Sequence, residues 1–543
     1  MLRNKTASQH NFATVPRSDI PRSKFAMRQT RKMAFDASEL IPIMCEEVLP
    51  GDTWQHNESI LARLATPIAP LIDDLDLETF YFFVPNRIIN PKWEDLITGA
   101  DTTALTPKML PINGGTVKIL PNSVLDFFGL PPGNYTAPLY INLHPILGYF
   151  TIYNEWFRDQ NMQEEYVWPT TISPYINSEE ITQDTIAWDQ YPLRINKRHD
   201  YFTSSLPWPQ KGNAVDIPLG TSAPIYVDSS ITTGNSVAVI VEGTTTHRQV
   251  VSNTSGLGTT WGAQSSTGQT PQLYADLSSA TAATINALRL AFQTQRLLER
   301  DARGGSRYVE QLLSHFGTRA PDFRLQRPEY LGGSKIPITI NPIAQTAAYD
   351  AEPANAASAV GNLGAEMHAS GHSRTFTYAA TEHGYIIGLA AVRSTPTYQQ
   401  GIRKHWLRDT RLDYYFPVFA HLGEQAVLTK EIYTTLDSTY TNTTWGYQER
   451  WAEYRYTPNE ITGVLRSTAA QPLDWWHLAE EFGSEPALTD YFIKDKTQET
   501  LARSLATAPS AQWSAQVIMD ILHTSTVARL MPAYGAPGLI DHL

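Results

Sequence analysis

The stretch from Leu75 to Val84 sets the tightest limit on how this chain can fold. Leu75, Leu77, Thr79, Tyr81 and Phe83 alternate with Asp76, Glu78, Phe80, Phe82 and Val84, and the second half is apolar on both sides. A strand with one wet face alternates apolar with polar residues. A strand apolar on both faces belongs between two packed layers. Pro85 ends it by removing a ladder donor. Short apolar runs broken by Pro42 and Pro50-Gly51 lie between Leu40 and Asn57, and further strand-like runs cover Ile336 to Ile340, Tyr385 to Val392 and Leu412 to Phe419. With 11% aromatic residues and 36 prolines, the expectation is a mainly β chain whose sheets are joined by long loops.

Helices are expected only in the connections. Asn90 as N-cap, Pro91 at the first helical position and Gly99 past the end outline a short one. Ile146, Tyr149, Phe150, Tyr153 and Phe157 share a helical face within Pro145 to Asp159. Ile285, Leu288 and Phe292 lie on another helix that ends before Gly304-Gly305. A fourth starts at Ser306 as N-cap, carries Val309, Leu312, Leu313 and Phe316 on one face, and stops at Gly317. Residues 351–373 are rich in Ala, Gly, Ser and Asn and read as a surface loop.

Two segments stand apart from this body, which comprises residues 36–211 and 275–543. Residues 1–35 carry Arg3, Lys5, Arg17, Arg22, Lys24, Arg28, Arg31 and Lys32 against the single acid Asp19, a charge of +7 on a chain whose total is −12. They read as an extended basic arm of the kind that meets a polyanion, with Phe12, Phe25 and Phe35 available to stack on bases. Residues 212–274 hold 27 Gly, Ser or Thr and only four charged residues: Asp216, Asp228, Glu242 and Arg248. Ser236 to Val241 is expected to be a strand, with Gln249 to Ser252 as its expected partner across the Gly243-to-Arg248 turn. A segment this long between core elements reads as a projecting insertion.

Catalytic patterns are scarce. No Gly-rich run ends in Lys-Ser or Lys-Thr, no His-Glu-x-x-His occurs, and the lone Cys45 excludes thiolate zinc sites and internal disulfides. His368 and His372, near Glu366, have the spacing of a helical metal face but fall in the expected loop, so no metal or other cofactor is expected. Residues 1–35 contain no apolar signal-peptide core, and no run of 18 apolar residues exists, so membrane insertion is not expected. Glu449 and Glu453, flanked by aromatics, keep one enzymatic alternative open: a carbohydrate-active or carbohydrate-binding β-sandwich. Otherwise no acid, base and nucleophile come together, and a structural or binding protein is expected rather than an enzyme.

The richest aromatic stretch runs Trp-Gly-Tyr-Gln-Glu-Arg-Trp-Ala-Glu-Tyr-Arg-Tyr-Thr-Pro from Trp445 to Pro458. Its aromatics are mixed with charges on both faces, which suits a subunit boundary formed by Tyr447, Glu449, Arg450, Trp451, Glu453, Tyr454 and Arg455. An edge strand whose aromatics cap the core is the other reading. This stretch resembles a signature of the major capsid proteins of gokushovirus-type microviruses. The resemblance extends to Phe80-Tyr-Phe-Phe-Val-Pro-Asn-Arg87, Leu206-Pro-Trp-Pro-Gln-Lys-Gly212, Leu297-Leu-Glu-Arg-Asp-Ala-Arg-Gly-Gly305, Arg327-Pro-Glu-Tyr-Leu-Gly-Gly333, Glu382-His-Gly-Tyr385 and Pro537-Gly-Leu-Ile-Asp-His542.

That resemblance implies a single viral jelly roll, an eight-stranded antiparallel sandwich with long insertions. It implies about 60 copies closing a T=1 shell around circular single-stranded DNA. The companions it implies are an internal scaffolding protein, a pilot protein and a small basic DNA-binding protein, in a virion assembled in the bacterial cytoplasm. The family's surface protrusion maps to about Asp228 to Gln272, with His247, Arg248 and Trp261 as candidates for contact with a host surface receptor.

Overall fold

The computed structural model describes residues 20–100, 108–110, 117–135, 141–166, 181–182, 191–213, 215, 225–227, 237–240, 247–252, 259–264, 273–275, 285–305, 307–346, 360–434, 443–506 and 515–535. They fall into two compact units, residues 1–209 with 305–543, and residues 210–304. The larger unit is built on two antiparallel sheets. In chain order the strands are β1 (Arg22–Phe35), β2 (Ile41–Val48), β3 (Thr53–Leu64), β4 (Leu75–Pro85), β5 (Glu329–Pro337), β6 (Thr339–Ala344), β7 (Leu363–Ala379), β8 (Gly384–Ser394) and β9 (Val517–Leu530). One sheet runs β1-β9-β3-β7-β6 and the other β5-β4-β8-β2.

β5 and β6 flank Ile338 and form one strand that leaves the second sheet for the first. Counted that way, eight strands pass back and forth between two facing sheets, which is the jelly-roll arrangement.

The core lies where sequence periodicity puts it. Trp54, Ile60 and Ala62 of β3 and Val517, Met519 and Ile521 of β9 face Leu77, Tyr81 and Phe83 of β4 and Ile386, Ala390 and Val392 of β8. Residues on the opposite side of β4 and β8, including Phe82, Val84, Ile387 and Leu389, form a second cluster with Leu143, Ile146, Tyr149 and Phe150. The second sheet is therefore sandwiched on both faces, as the doubly apolar half of Leu75–Pro85 requires. Each large apolar side chain buried this way contributes about 1.5–3 kcal/mol.

The covering helix, α1 (His144–Ile152), continues as a π-helical turn over Tyr153–Phe157. It approaches the sheet so closely at Gly148 that a Cβ there would lie 2.8 Å from Ile387 Cδ1. A third cluster gathers Tyr201, Phe202, Tyr398, Val427, Trp445 and Phe492.

Several expectations change. Residues 363–373 are not loop but the first part of β7. Leu412 to Phe419 is not a strand; it folds as 3-10 turns at Arg411–Asp413 and Pro417–Phe419. The helix expected to begin at Pro91 begins at Trp93, with Lys92 at its N-cap; Asn90 Oδ1 accepts from Lys92 N (3.1 Å) and its amide meets His144 Nε2 (3.3 Å). The helix after Gly305 is α2 (Tyr308–Phe316), with Arg307 at its N-cap and Gly317 in the left-handed conformation at its end. Cys45 is held inert by burial, which pushes its thiol up to about 12.

In the smaller unit, Val237–Ile240 pairs with His247–Ser252, which pairs in turn with Thr259–Gln264. Ile225–Val227 pairs with Leu273–Ala275, and a helix spans Ile285–Gly304.

Candidate nucleic-acid interface

Strand β1 takes up the second half of the basic segment and sorts its charges by position. Phe25, Met27, Met33 and Phe35 lean into the sandwich, Phe35 fully buried and the two methionines packed against the core. Lys24, Ala26, Arg28, Thr30 and Lys32 point outward, because alternate side chains of a strand take opposite faces. Lys24, Arg28 and Lys32 thus recur every fourth residue, about 13 Å apart. Lys24 and Arg28 have no ion-pair partner among the described residues, whereas Lys32 pairs with Asp520 at the surface (2.5 Å).

Arg22 is more constrained, its Nη2 donating to Gly51 O, to Thr53 Oγ1 (2.6 Å) and to Ala528 O (3.3 Å). Arg31 turns the other way. It donates to Phe127 O, and burial lowers its pKa, so it is not displayed on the outer face. Phe35 and the half-buried Phe25 are likewise turned from the surface on which a base would stack. Arg3, Lys5, Arg17 and Phe12 lie outside the described residues.

The strand register extends the basic row across the sheet. Arg28 is opposite Thr524, Thr524 opposite Asn57, and Asn57 opposite Arg374. Arg63 lies between Ile518 and His368 on the same face. Outward positions therefore hold Arg22, Lys24, Arg28, Lys32, Arg63 and Arg374, against the acids Asp520 and Glu366. Thr, Ser, Asn and Gln share the rest with exposed apolar side chains, among them Leu61, Ile343 and Ile518. This is chemistry for phosphate oxygens rather than base edges. Arg63 and Arg374 were not foreseen from the sequence, since only strand register places them beside β1.

His368 and His372 belong to this face too, as residues of a strand and not of a helix. Four residues of strand separate them by about 13 Å, and His372 Nδ1 is taken up by Ser59 Oγ (2.7 Å). No cluster of metal-ligating side chains occurs among the described residues.

The stretch from Trp445 divides differently from its expected pattern. Thr444–Glu449 pairs with Glu424–Leu428, and Trp451 then turns the chain at φ 69° into a 3-10 turn over Ala452–Tyr454. Trp451 is 5% exposed, its Nε1 donating to Phe419 O (3.0 Å) and its ring lying 4.4 Å from the Arg450 guanidinium. Glu453 accepts from Arg408 (3.2 Å) and Gln425 (2.7 Å), and Glu449 pairs with Arg455 (3.2 Å). Both carboxylates are thus counter-ions within structural pairs. Tyr447 is half-buried in its strand, and only Tyr454, Arg455, Tyr456 and Thr457 of the stretch from Trp445 to Pro458 stand out into solvent. His247 and Arg248 lie on the middle strand of the smaller unit's three-stranded sheet and Trp261 on the neighbouring one.

Jelly rolls serve as viral coat, lectin and cupin domains, and a face of six cations on a chain of net charge −12 suits the coat subunit best. The chain belongs to the Capsid protein (F protein) family, whose profile matches residues 13–539. It is 42% identical to capsid protein VP1 of Bdellovibrio phage phiMH2K over 556 residues, covering 98% of each chain. It is 36% identical to capsid protein VP1 of Chlamydia phage 1 and 34% identical to that of Spiroplasma virus 4, again over 98% of both chains. The protein is a structural subunit that self-assembles into a capsid and resides in the virion; it is not an enzyme. Nothing favours the carbohydrate-active alternative. Among the described residues no helix is long and apolar enough to cross a membrane.

Proposed function

We propose that about 60 copies of this chain close a T=1 shell around a circular single-stranded DNA genome, with the outer face of the β1-β9-β3-β7-β6 sheet turned toward the DNA. The observation that carries this reading is the row from Arg28 to Arg374, a concentrated positive face on an acidic protein. Such a face neutralises phosphates without regard to sequence, and each neutralised phosphate releases counterions.

The test is salt dependence. Binding of subunits to a single-stranded oligonucleotide should weaken with salt at a log–log slope of roughly −0.7 per engaged cation. The variant Lys24→Ala/Arg28→Ala should lower the magnitude of that slope by roughly 1.4. An unchanged slope would remove this sheet face from the interface.

Sequence resemblance further supports an internal scaffolding protein, a pilot protein and a small basic DNA-binding protein as companions, with assembly in the host bacterial cytoplasm. The smaller unit, with His247, Arg248 and Trp261, is the part proposed to meet a host surface receptor. Replacing Ile231 to Thr267 by a few glycines should leave assembly intact and reduce adsorption to host cells, since long surface segments add little to a core. Soluble subunits that no longer form shells would make the segment an assembly element instead.

A further inference from the structure

The segment from Trp406 to Leu422 forms an apolar ridge that the subunit does not cover. Trp406 is 76% exposed and Val418 81%, and Leu412, Tyr414 and Leu422 are each more than half exposed. Soluble monomers rarely leave large apolar side chains grouped this way, and such groups mark sites of association.

The ridge is also held in shape. Trp451 stands beneath it and donates to Phe419 O (3.0 Å), and the Tyr415 ring packs on Trp451 (5.4 Å) and on Tyr454 (6.0 Å). Asp413 Oδ2 accepts from both the backbone N (2.7 Å) and the hydroxyl (2.8 Å) of Thr410, fixing the 3-10 turn that presents Leu412. A rigid aromatic surface loses little conformational freedom when it is covered.

We propose that this ridge is where one subunit packs against a second copy of the same chain. The proposal rests on the capsid reading and adds to it the surface that makes the contact. Charge argues against the genome as occupant. The cations around the ridge are largely matched within the subunit: Arg408 with Glu453 (3.2 Å), Arg403 with Glu460 (2.8 Å) and Arg455 with Glu449 (3.2 Å). A polyanion gains little from a surface already neutralised, and the cationic face lies on a different element, the β1-β9-β3-β7-β6 sheet. An apolar protein surface gains a great deal.

Composition points the same way, since an exposed Trp and exposed Tyr rings with Arg stacked on the latter are what interface cores are enriched in. Arg408 lies 4.6 Å over the Tyr454 ring, and Arg411 lies 5.5 Å over that of Phe416. A shell of identical subunits must cover such a ridge on every copy, and the partner always present at equal number is another copy.

Two measurements test this. Hydroxyl-radical footprinting of intact particles against dissociated subunits should show oxidation of Trp406 and Val418 falling at least about tenfold on assembly, as expected for an interface core that excludes water. Equal labelling of the two forms overturns the proposal. A photo-crosslinking phenylalanine placed at Val418 should, in assembled particles, join two copies of this chain. Crosslinks to DNA or to a different protein, or none at all, overturn it. Particles that assemble and carry DNA while Trp406 stays fully labelled would sink the ridge alone, whereas subunits that never form particles would sink the capsid reading.

Discussion

Acidification from pH 6.5 to 4.5 should cost the folded subunit about 2 kcal/mol for each of two histidines buried in the sandwich, His56 and His523. Their hydrogen bonds are satisfied with both rings neutral, and that of His523 to His56 requires His523 to be so. His523 Nε2 meets the Ile43 carbonyl (3.1 Å) and must donate to it, so His523 Nδ1 accepts from His56 Nε2 (3.3 Å). His56 Nδ1 then accepts from Ser525 Oγ (2.8 Å). A second proton on His523 would set two N–H groups against each other, whereas one on His56 would turn the Ser525 hydroxyl from donor to acceptor and leave burial to oppose the charge.

Burial pushes His56 down to about 3, with the neighbouring His523 adding to it, and burial pushes His523 down to about 4. Both values lie below the ordinary 6.5, so on acidification the unfolded chain takes up these protons first. The stability is present above pH 6.5 and is lost as pH falls toward 4 and then 3, at about 1.4 kcal/mol per pH unit for each histidine.

Two carboxyls act in the opposite direction. Burial raises Glu39 to about 7 and Asp495 to about 6, so their folded forms take protons first and gain stability on acidification. The difference between variants therefore isolates the histidine contribution. In denaturant unfolding of unassembled subunits across this range, His523→Gln should show a stability slope against pH smaller than the parent's by about 1.4 kcal/mol per unit. Parallel curves would mean that the pair does not titrate on unfolding.

Leu75–Pro85 was legible because two layers impose a pattern on a single strand that nothing else imposes. Other elements were hidden by opposing signals. Strand β1 carries a clear alternation of Phe25, Met27, Met33 and Phe35, but the cations between them made the segment resemble a free arm. β7 was masked by its small residues, which mark crowding and not a loop. A Cβ at Gly371 would come 2.6 Å from Ile336 Cδ1, so a side chain there would force the Ile336 side chain to shift. The cationic face itself could not be read in full, since Arg63 and Arg374 join Arg28 only through strand register. The aromatic ridge was misread for a related reason: Leu412 to Phe419 is apolar enough for a strand, yet its side chains face outward from 3-10 turns.

Within the stretch from Trp445 to Pro458, core and boundary functions separate at two residues, so single substitutions should give opposite results. Trp451→Ala should cost about 3–5 kcal/mol of subunit stability, the usual cost of emptying a buried aromatic site. The substitution also leaves Phe419 O without its indole donor and keeps a non-glycine residue at positive φ, where only lost packing had offset the strain. Tyr454→Ala removes a ring that is 55% exposed and should change stability by no more than about 1 kcal/mol. Its loss should appear in assembly instead, because the ring extends the ridge beside Tyr415 and carries Arg408 on its face. A truncated interface aromatic commonly costs about 2 kcal/mol per contact, and a closed shell repeats that loss at every subunit. Tyr454→Ala subunits should therefore melt like the parent and fail to sediment as particles, while Trp451→Ala subunits should melt early in the unassembled state. A Tyr454→Ala protein that unfolds readily, or a Trp451→Ala protein with parental stability, would reverse the assignment of these two residues to boundary and core.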